Sequence, residues 1–295
     1  MTASPESDGP PRVVPACRTV MASNKRTKLG QHFLQDMNYR RRIIAELPLP
    51  PDGLVIEIGP GRGAMTGLLA KSARNLVAIE IDRVLADQLH QAFALEPRVQ
   101  ILHQDVLKVD FAEICRQQGA AQCFVFGNLP YYITSPILRH LFAYRQCIRA
   151  MGLLIQREVA DRLIAQPGTR DHGYLTVSTQ LYSRPRLALA VPPGAFSPPP
   201  KVHSALVTLE MISHFPSWGR EKCDEFLEFA KRCFGQKRKN LLNNLGGVYG
   251  RDQVARALKM GGHSAKARAE ELSLEELAGV FEYLTRATGR AYAEV

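Results

Sequence analysis

From Leu54 to Gln156 the chain alternates short apolar runs with longer segments in which apolar residues recur every three or four positions. The runs are Leu54–Ile58, Asn75–Ile81, Arg98–Leu102, Gln122–Gly127 and Arg149–Gln156. Between them lie the amphipathic segments Ala64–Ser72, Arg83–Leu95, Phe111–Gln118 and Ser135–Tyr144. A strand with one face in water would alternate apolar and polar positions; these runs do not, so both faces are expected to be covered. Strands separated by helices predict a doubly wound α/β domain with a mostly parallel sheet, its ligands at the carboxyl ends of the strands.

After Gln156 the rhythm changes. A helix is expected from Arg157 to Ala165, a loop over Gln166–Gly173, and either helix or strand over Tyr174–Tyr182. Arg186–Val191 and Val202–Met211 read as two strands joined by the proline-rich link Pro192–Pro200, pairing antiparallel at a sheet edge. Beyond the linker Ser213–Gly219 the pattern is helical: Glu221–Phe234, Arg238–Leu245, Asp252–Lys259 and Leu274–Thr285. Ser273 with Glu276 three residues later is a capping-box signal for the last helix. The expected organisation is a disordered N-terminal extension over residues 1–24, a sheet domain over 25–212 and a small all-α domain over 213–295.

Composition narrows the class. The chain has 295 residues, 45% of them hydrophobic, enough for a core without disulfides or metals. No apolar run approaches the ~18–20 residues that cross a bilayer, so no membrane partner is expected. The net charge is +10, and residues 1–42 carry 8 basic against 3 acidic side chains, which favours a polyanion partner, nucleic acid first. The six cysteines form no C-x-x-C pair and lie apart from the histidines, so zinc gets no support. They are expected to be reduced thiols in a cytoplasmic protein, since the N-terminal segment lacks the apolar core of a secretory signal.

Six motifs carry candidate chemistry. In Val55-Ile56-Glu57-Ile58-Gly59-Pro60-Gly61-Arg62-Gly63 a buried strand runs into a glycine turn and then a helix. The spacing is G-x-G-x-G rather than the G-x-G-x-x-G of a pyrophosphate site, and it favours a nucleoside without phosphate, such as S-adenosylmethionine. A plain strand–helix turn is the alternative. Glu80 ends the second strand, where a carboxylate accepts from both ribose hydroxyls. Asp105 with Val106 closes the third strand, where Asp105 can accept from an adenine amine. Each acid alone could be a solvated strand-end residue.

The sharpest motif is Gly127-Asn128-Leu129-Pro130-Tyr131-Tyr132 after the fourth strand. The N6 lone pair of adenine is delocalised into the ring, so the amine is a weak nucleophile. Two acceptors, the Asn128 side-chain oxygen and the Leu129 or Pro130 carbonyl, would hold its hydrogens and aim the lone pair. Tyr131 would stack on the base, and Pro130 stiffens the turn. In Phe196-Ser197-Pro198-Pro199-Pro200-Lys201-Val202-His203-Ser204, Phe196 is expected as the opposite wall of that base sandwich; the segment could equally be a stiff connector. Lys231–Lys239 holds five positive charges and no acid. Lys237, Arg238 and Lys239 are expected on phosphate, with Lys201 and the N-terminal Lys25, Arg26 and Lys28.

Seven pieces stand in one order: Gly-Gln-His-Phe-Leu, Glu-Ile-Gly-Pro-Gly, Ile-Glu-Ile-Asp, Gln-Asp-Val, Gly-Asn-Leu-Pro-Tyr, Phe-Ser-Pro-Pro-Pro-Lys-Val and Gln-Lys-Arg-Lys-Asn. In this the chain resembles the bacterial small-subunit (16S) ribosomal RNA adenine N6,N6-dimethyltransferases, the KsgA family, from about Lys28 to about Leu284. The resemblance implies a Rossmann-like S-adenosylmethionine-dependent methyltransferase sheet with a small all-α C-terminal domain. It implies two methyl groups on N6 of each of two adjacent adenosines, in a hairpin loop near the 3′ end of 16S rRNA within a partly assembled small subunit. It carries cofactor contacts onto His32, Leu34, Gly59, Gly61, Glu80, Asp105, Val106 and Asn128. His32 stands where the family often has Asn, and Tyr132 where some members have Asn. Two other readings share parts of this pattern: a DNA adenine N6-methyltransferase, disfavoured by the lack of a DNA-specificity domain, and a ribosome assembly factor acting mainly by binding. A monomer is the simplest expectation.

Overall fold

The computed structural model describes residues 32–236 and 238–289. The expected extension over residues 1–24 and the basic residues Lys25, Arg26, Lys28 and Lys237 lie outside the described residues. A short strand β1 (Phe33–Leu34) leads into α1 (Met37–Glu46). The alternating region follows: β2 (Leu54–Ile58), α2 (Thr66–Ser72), β3 (Asn75–Glu80), α3 (Arg83–Ala92), β4 (Val99–His103), α4 (Phe111–Gln117), β5 (Cys123–Asn128), α5 (Thr134–Ala143) and β6 (Ile148–Gln156). Then come α6 (Arg157–Leu163), α7 (Tyr174–Tyr182), β7 (Ser183–Val191), β8 (Phe196–Ser197) and β9 (Ser204–Met211). The helical tail is α8 (Arg220–Cys233), α9 (Leu241–Tyr249), α10 (Arg251–Met260) and α11 (Leu274–Thr288).

Seven strands form one sheet in the order β4-β3-β2-β5-β6-β9-β7. The first five are parallel, and β9 and β7 close one edge antiparallel, as the two runs around the proline-rich link predict. The chain order reverses direction between β2 and β5. Their carboxyl ends splay into the crevice where such sheets hold ligands, and both the glycine turn and the Asn128 turn open there.

The continuous apolar runs do cover two faces. On β2, Leu54, Ile56 and Ile58 join one large apolar cluster while Val55 joins another on the opposite side. The larger cluster runs from the strands through α7 into the tail, where Phe226, Phe229 and Phe281 are fully buried. Each such side chain is worth about 1.5–3 kcal/mol of burial, so the tail and the sheet share one core.

The Tyr174–Tyr182 segment, open between helix and strand in the sequence, is helical; the Thr176 hydroxyl accepts from Gly173 N–H and donates to Arg162 O, fixing its start. The third tail helix from the end begins at Leu241 rather than Arg238, because Asn240 caps it by accepting from Asn243 N–H. The last helix carries the expected Ser273–Glu276 box. Two elements were not expected. Helix α1 starts at Asp36, whose carboxylate accepts from Asn38 and Tyr39 N–H. The link Pro192–Pro200 is no simple extended connector: Phe196 and Ser197 pair with Leu34 and Phe33 as a two-stranded sheet.

Candidate active site

The glycine turn lies between β2 and α2. Gly59, Gly61 and Gly63 all adopt left-handed φ, 68°, 58° and 78°. At Gly61 the requirement is double, since a Cβ would stand 2.9 Å from Cε1 of Phe33. Phe33 therefore lies across the turn, with the Arg62 guanidinium 4.8 Å from its ring centroid. Gly61→Ala should cost about 1–2 kcal/mol in backbone strain and displace Phe33, weakening cofactor analogue binding about tenfold by calorimetry. An unchanged Kd would show that the turn tolerates a side chain.

Glu80, at the end of β3, is buried. Its two oxygens accept from Gly61 N–H at 3.0 Å and Asp82 N–H at 2.9 Å. Burial raises its pKa and these backbone donors oppose the shift. The carboxylate thus holds the glycine turn through its backbone donors. Asp105 accepts from Leu107 N–H through Oδ1, at 3.0 Å, and so caps a short helical turn. Its Oδ2 bonds no described residue. Val106 is buried beside it, whereas Ile81, directly after Glu80, is 51% exposed. Ile81 lies in the Ile-Glu-Ile-Asp motif but carries no expected site role; its signal is an apolar residue directly after a strand-end acid.

Asn128 ends β5 and its amide is oriented by the chain. Nδ2 donates to the His32 carbonyl at 3.0 Å, so Oδ1 faces away from that bond with no described donor on it. His32 is itself fixed: its Nδ1 must carry the proton, because it donates to the Pro198 carbonyl at 2.8 Å. The Leu129 and Pro130 carbonyls, the two expected second acceptors, differ in their partners. Pro130 O already accepts from Ile133 N–H and the Thr134 hydroxyl, each at 3.2 Å. Leu129 N–H donates to Leu154 O, while the Leu129 carbonyl has no described donor. Pro130 O therefore closes the turn, and Leu129 O is the carbonyl left open among the described residues.

Tyr131 bonds Ser204 Oγ through its hydroxyl at 2.7 Å, and its ring lies 5.7 Å from His32. Burial raises its pKa, so it stays a phenol at neutral pH. Phe196 differs from expectation. It is 4% exposed and packs in the apolar cluster with Leu34 and Ala195, because pairing with β1 turns β8 inward. Its ring is covered by that cluster. Leu34 is buried in the same cluster, and its carbonyl accepts twice from the Arg40 guanidinium. His32–Leu34 therefore forms a strap joining the glycine turn to the Asn128 turn. Lys201, Arg238 and Lys239 are exposed.

One buried group carries no role expected from the sequence. Glu57 on β2 is 2% exposed, its Oε2 finds no hydrogen-bond partner among the described residues, and burial pushes its pKa up to about 8. The signal was a charged residue inside an otherwise apolar run covered on both faces.

The geometry agrees with known proteins. Residues 22–286 match the family described as ribosomal RNA adenine dimethylase. The chain is 44% identical over 276 residues to ribosomal RNA small subunit methyltransferase A of Acidobacterium capsulatum, covering 92% of this chain and 96% of that one. It is 40% identical to the protein of the same name from Koribacter versatilis, covering 89% and 95%. Among solved structures, the 23S rRNA methyltransferase ErmE superposes with a TM-score of 0.68 at 28% identity, covering 85% of this chain and 99% of that one. A dimethyladenosine transferase from Plasmodium falciparum shares the fold with a TM-score of 0.72 at 21% identity, covering 88% and 100%. The turn that fixes the Asn128 amide thus sits in a chain that belongs to the ribosomal RNA adenine dimethylase family, as an rRNA adenine N6-dimethyltransferase.

Proposed function

We propose that this protein uses S-adenosylmethionine to dimethylate N6 of two adjacent adenosines, in a hairpin loop near the 3′ end of 16S rRNA within the small ribosomal subunit. The observation that carries this reading is the oriented Asn128 amide. With Nδ2 held by the His32 carbonyl, Oδ1 and the Leu129 carbonyl are two acceptors on one turn for the two hydrogens of an exocyclic amine. Accepting both hydrogens draws the nitrogen toward pyramidal geometry and frees its lone pair, the differential stabilisation that a weak nucleophile needs. Tyr131 offers its ring to the base, and its tie to Ser204 fixes that ring. No general base is required, because the amine proton becomes acidic once nitrogen gains a bond, and the Tyr131 phenol stays protonated.

The residues fit the cofactor. The left-handed glycine turn leaves a surface that a Cβ would obstruct, the Glu80 carboxylate can accept from ribose hydroxyls, and Asp105 Oδ2 is open to an adenine amine. Ile81 and Val106 supply apolar contact to the ring, and the His32–Leu34 strap closes the turn side. When bound, S-adenosylmethionine supplies an electrophilic methyl group on a sulfonium. Lys201, Lys237, Arg238 and Lys239, with Lys25, Arg26 and Lys28, would hold RNA phosphates. Action on ribosomal subunits would place the protein in the cytoplasm, as a monomer.

The direct test is incubation with labelled S-adenosylmethionine and small subunits lacking the modification, followed by digestion of the RNA. Labelled dimethyladenosine from two adjacent positions is expected. No label, with tight subunit binding, would favour an assembly factor acting by occupancy. Replacing Lys237, Arg238 and Lys239 with Gln should reduce the slope of log K against log salt by about 2–3, since each phosphate contact releases counterions. An unchanged slope would place this cluster off the RNA.

A further inference from the structure

The reaction leaves one prominent aromatic unused. Pro130–Ile133 form a turn closed by Ile133 N–H on the Pro130 carbonyl at 3.2 Å, with Tyr131 and Tyr132 at its two corners. The two tyrosines are treated oppositely. Tyr131 is half-buried and tied to Ser204. Tyr132 is 62% exposed, with no described hydrogen bond or ring contact.

Its surroundings are those of a nucleic-acid surface. The Tyr131–Ser204 bond brings the end of the Lys201–Ser204 loop to the turn. That loop presents Val202, 45% exposed, and the exposed Lys201. It is pinned at the end of β6 by Arg157 N–H on the His203 carbonyl at 2.9 Å. An exposed ring on one loop thus stands next in sequence to the residue that bonds a second loop carrying an exposed apolar residue and an exposed cation. Exposed aromatics combined with cations on the same surface are how single-stranded bases are held without reading their edges.

Resting on the function proposed above, we infer that Tyr132 is the stacking platform for the base next to the adenine held at Asn128. Drawing one base out of a stack uncovers a face of its neighbour, and that face needs a partner. Consecutive turn corners have Cα atoms 3.8 Å apart, so consecutive side chains can serve consecutive bases. A purine offers the larger face, which would make Tyr132 a specificity-determining residue for a site of adjacent adenosines.

The test compares the parent with Tyr132→Ala and Tyr132→Phe on small subunits lacking the modification, and on subunits whose neighbouring adenosine is replaced by uridine. Tyr132→Ala is expected to raise KM about five- to hundredfold with kcat within twofold, and Tyr132→Phe to stay near the parent, because stacking needs the ring and not the hydroxyl. Uridine should raise KM for the parent and leave Tyr132→Ala nearly unchanged, since coupled partners do not add. Unchanged KM in Tyr132→Ala, a fall in kcat alone, or equal losses in Tyr132→Ala and Tyr132→Phe would each overturn the platform while leaving the methyltransferase reading in place. A parent that labels no adenosine on native-sequence subunits would overturn both.

Discussion

Asn128→Ala is expected to lower the rate of methyl transfer on small subunits by about 10²–10³-fold while changing subunit affinity less than threefold. Removing one preorganised hydrogen-bonding group aimed at a reacting centre costs roughly that much. Here the group is an acceptor, Oδ1, whose direction is set by the bond from Nδ2 to the His32 carbonyl. Asn128→Asp should be no better. A carboxylate cannot donate to the carbonyl, so the side chain would turn away and the His32 carbonyl would lose its partner. Affinity should survive because, on the function proposed above, it would come from phosphate contacts on exposed cations. Single-turnover rates with saturating subunits, beside a direct binding measurement, separate the two. A transfer rate within threefold of the parent would sink the positioning argument.

Glu57→Gln is expected to stabilise the fold progressively as pH rises from 5 to 8. Burial raises the Glu57 pKa to about 8, with the Thr66 hydroxyl opposing and Glu80 adding to the shift. An unfolded glutamate ionises near its ordinary value of about 4.3. Between those values the folded chain binds a proton that the unfolded chain has released, so stability falls as pH rises and levels off above about 8. Over that window the loss approaches roughly 3.5 kcal/mol at pH 7, taking 1.36 kcal/mol per unit. Glutamine keeps the shape and removes the titration. Urea melts at pH 5, 6, 7 and 8 should show a parent curve that falls and a variant curve that is flatter by about 3–4 kcal/mol. Parallel curves would mean that Glu57 is ionised in the folded protein and has a partner.

What the structure added was mostly a matter of distance along the chain. Phe33 and Leu34 pair with Ser197 and Phe196 over more than 160 residues, through strands of two residues each, too short to show any periodicity. That pairing turns Phe196 into the core and lays Phe33 on Gly61. Helix α1 escaped notice because three successive arginines blur its apolar stripe, and only Ile43 within it is fully buried. Its signal was the capping residue Asp36, which means little without the tertiary surface that Ile43 fills.

The sequence by itself determined the parallel sheet, the antiparallel edge, the helical tail and the place of the glycine and Asn128 turns. These follow from local periods and from backbone angles that only certain residues adopt. Tertiary structure alone decided how the turn would work. It assigned Pro130 O to the turn and left Leu129 O open, oriented the Asn128 amide through His32, anchored Tyr131 and exposed Tyr132. A hydrogen bond is directional and reaches about 3 Å, so which atom it satisfies depends on partners brought from distant segments, and spacing along the chain carries no record of them.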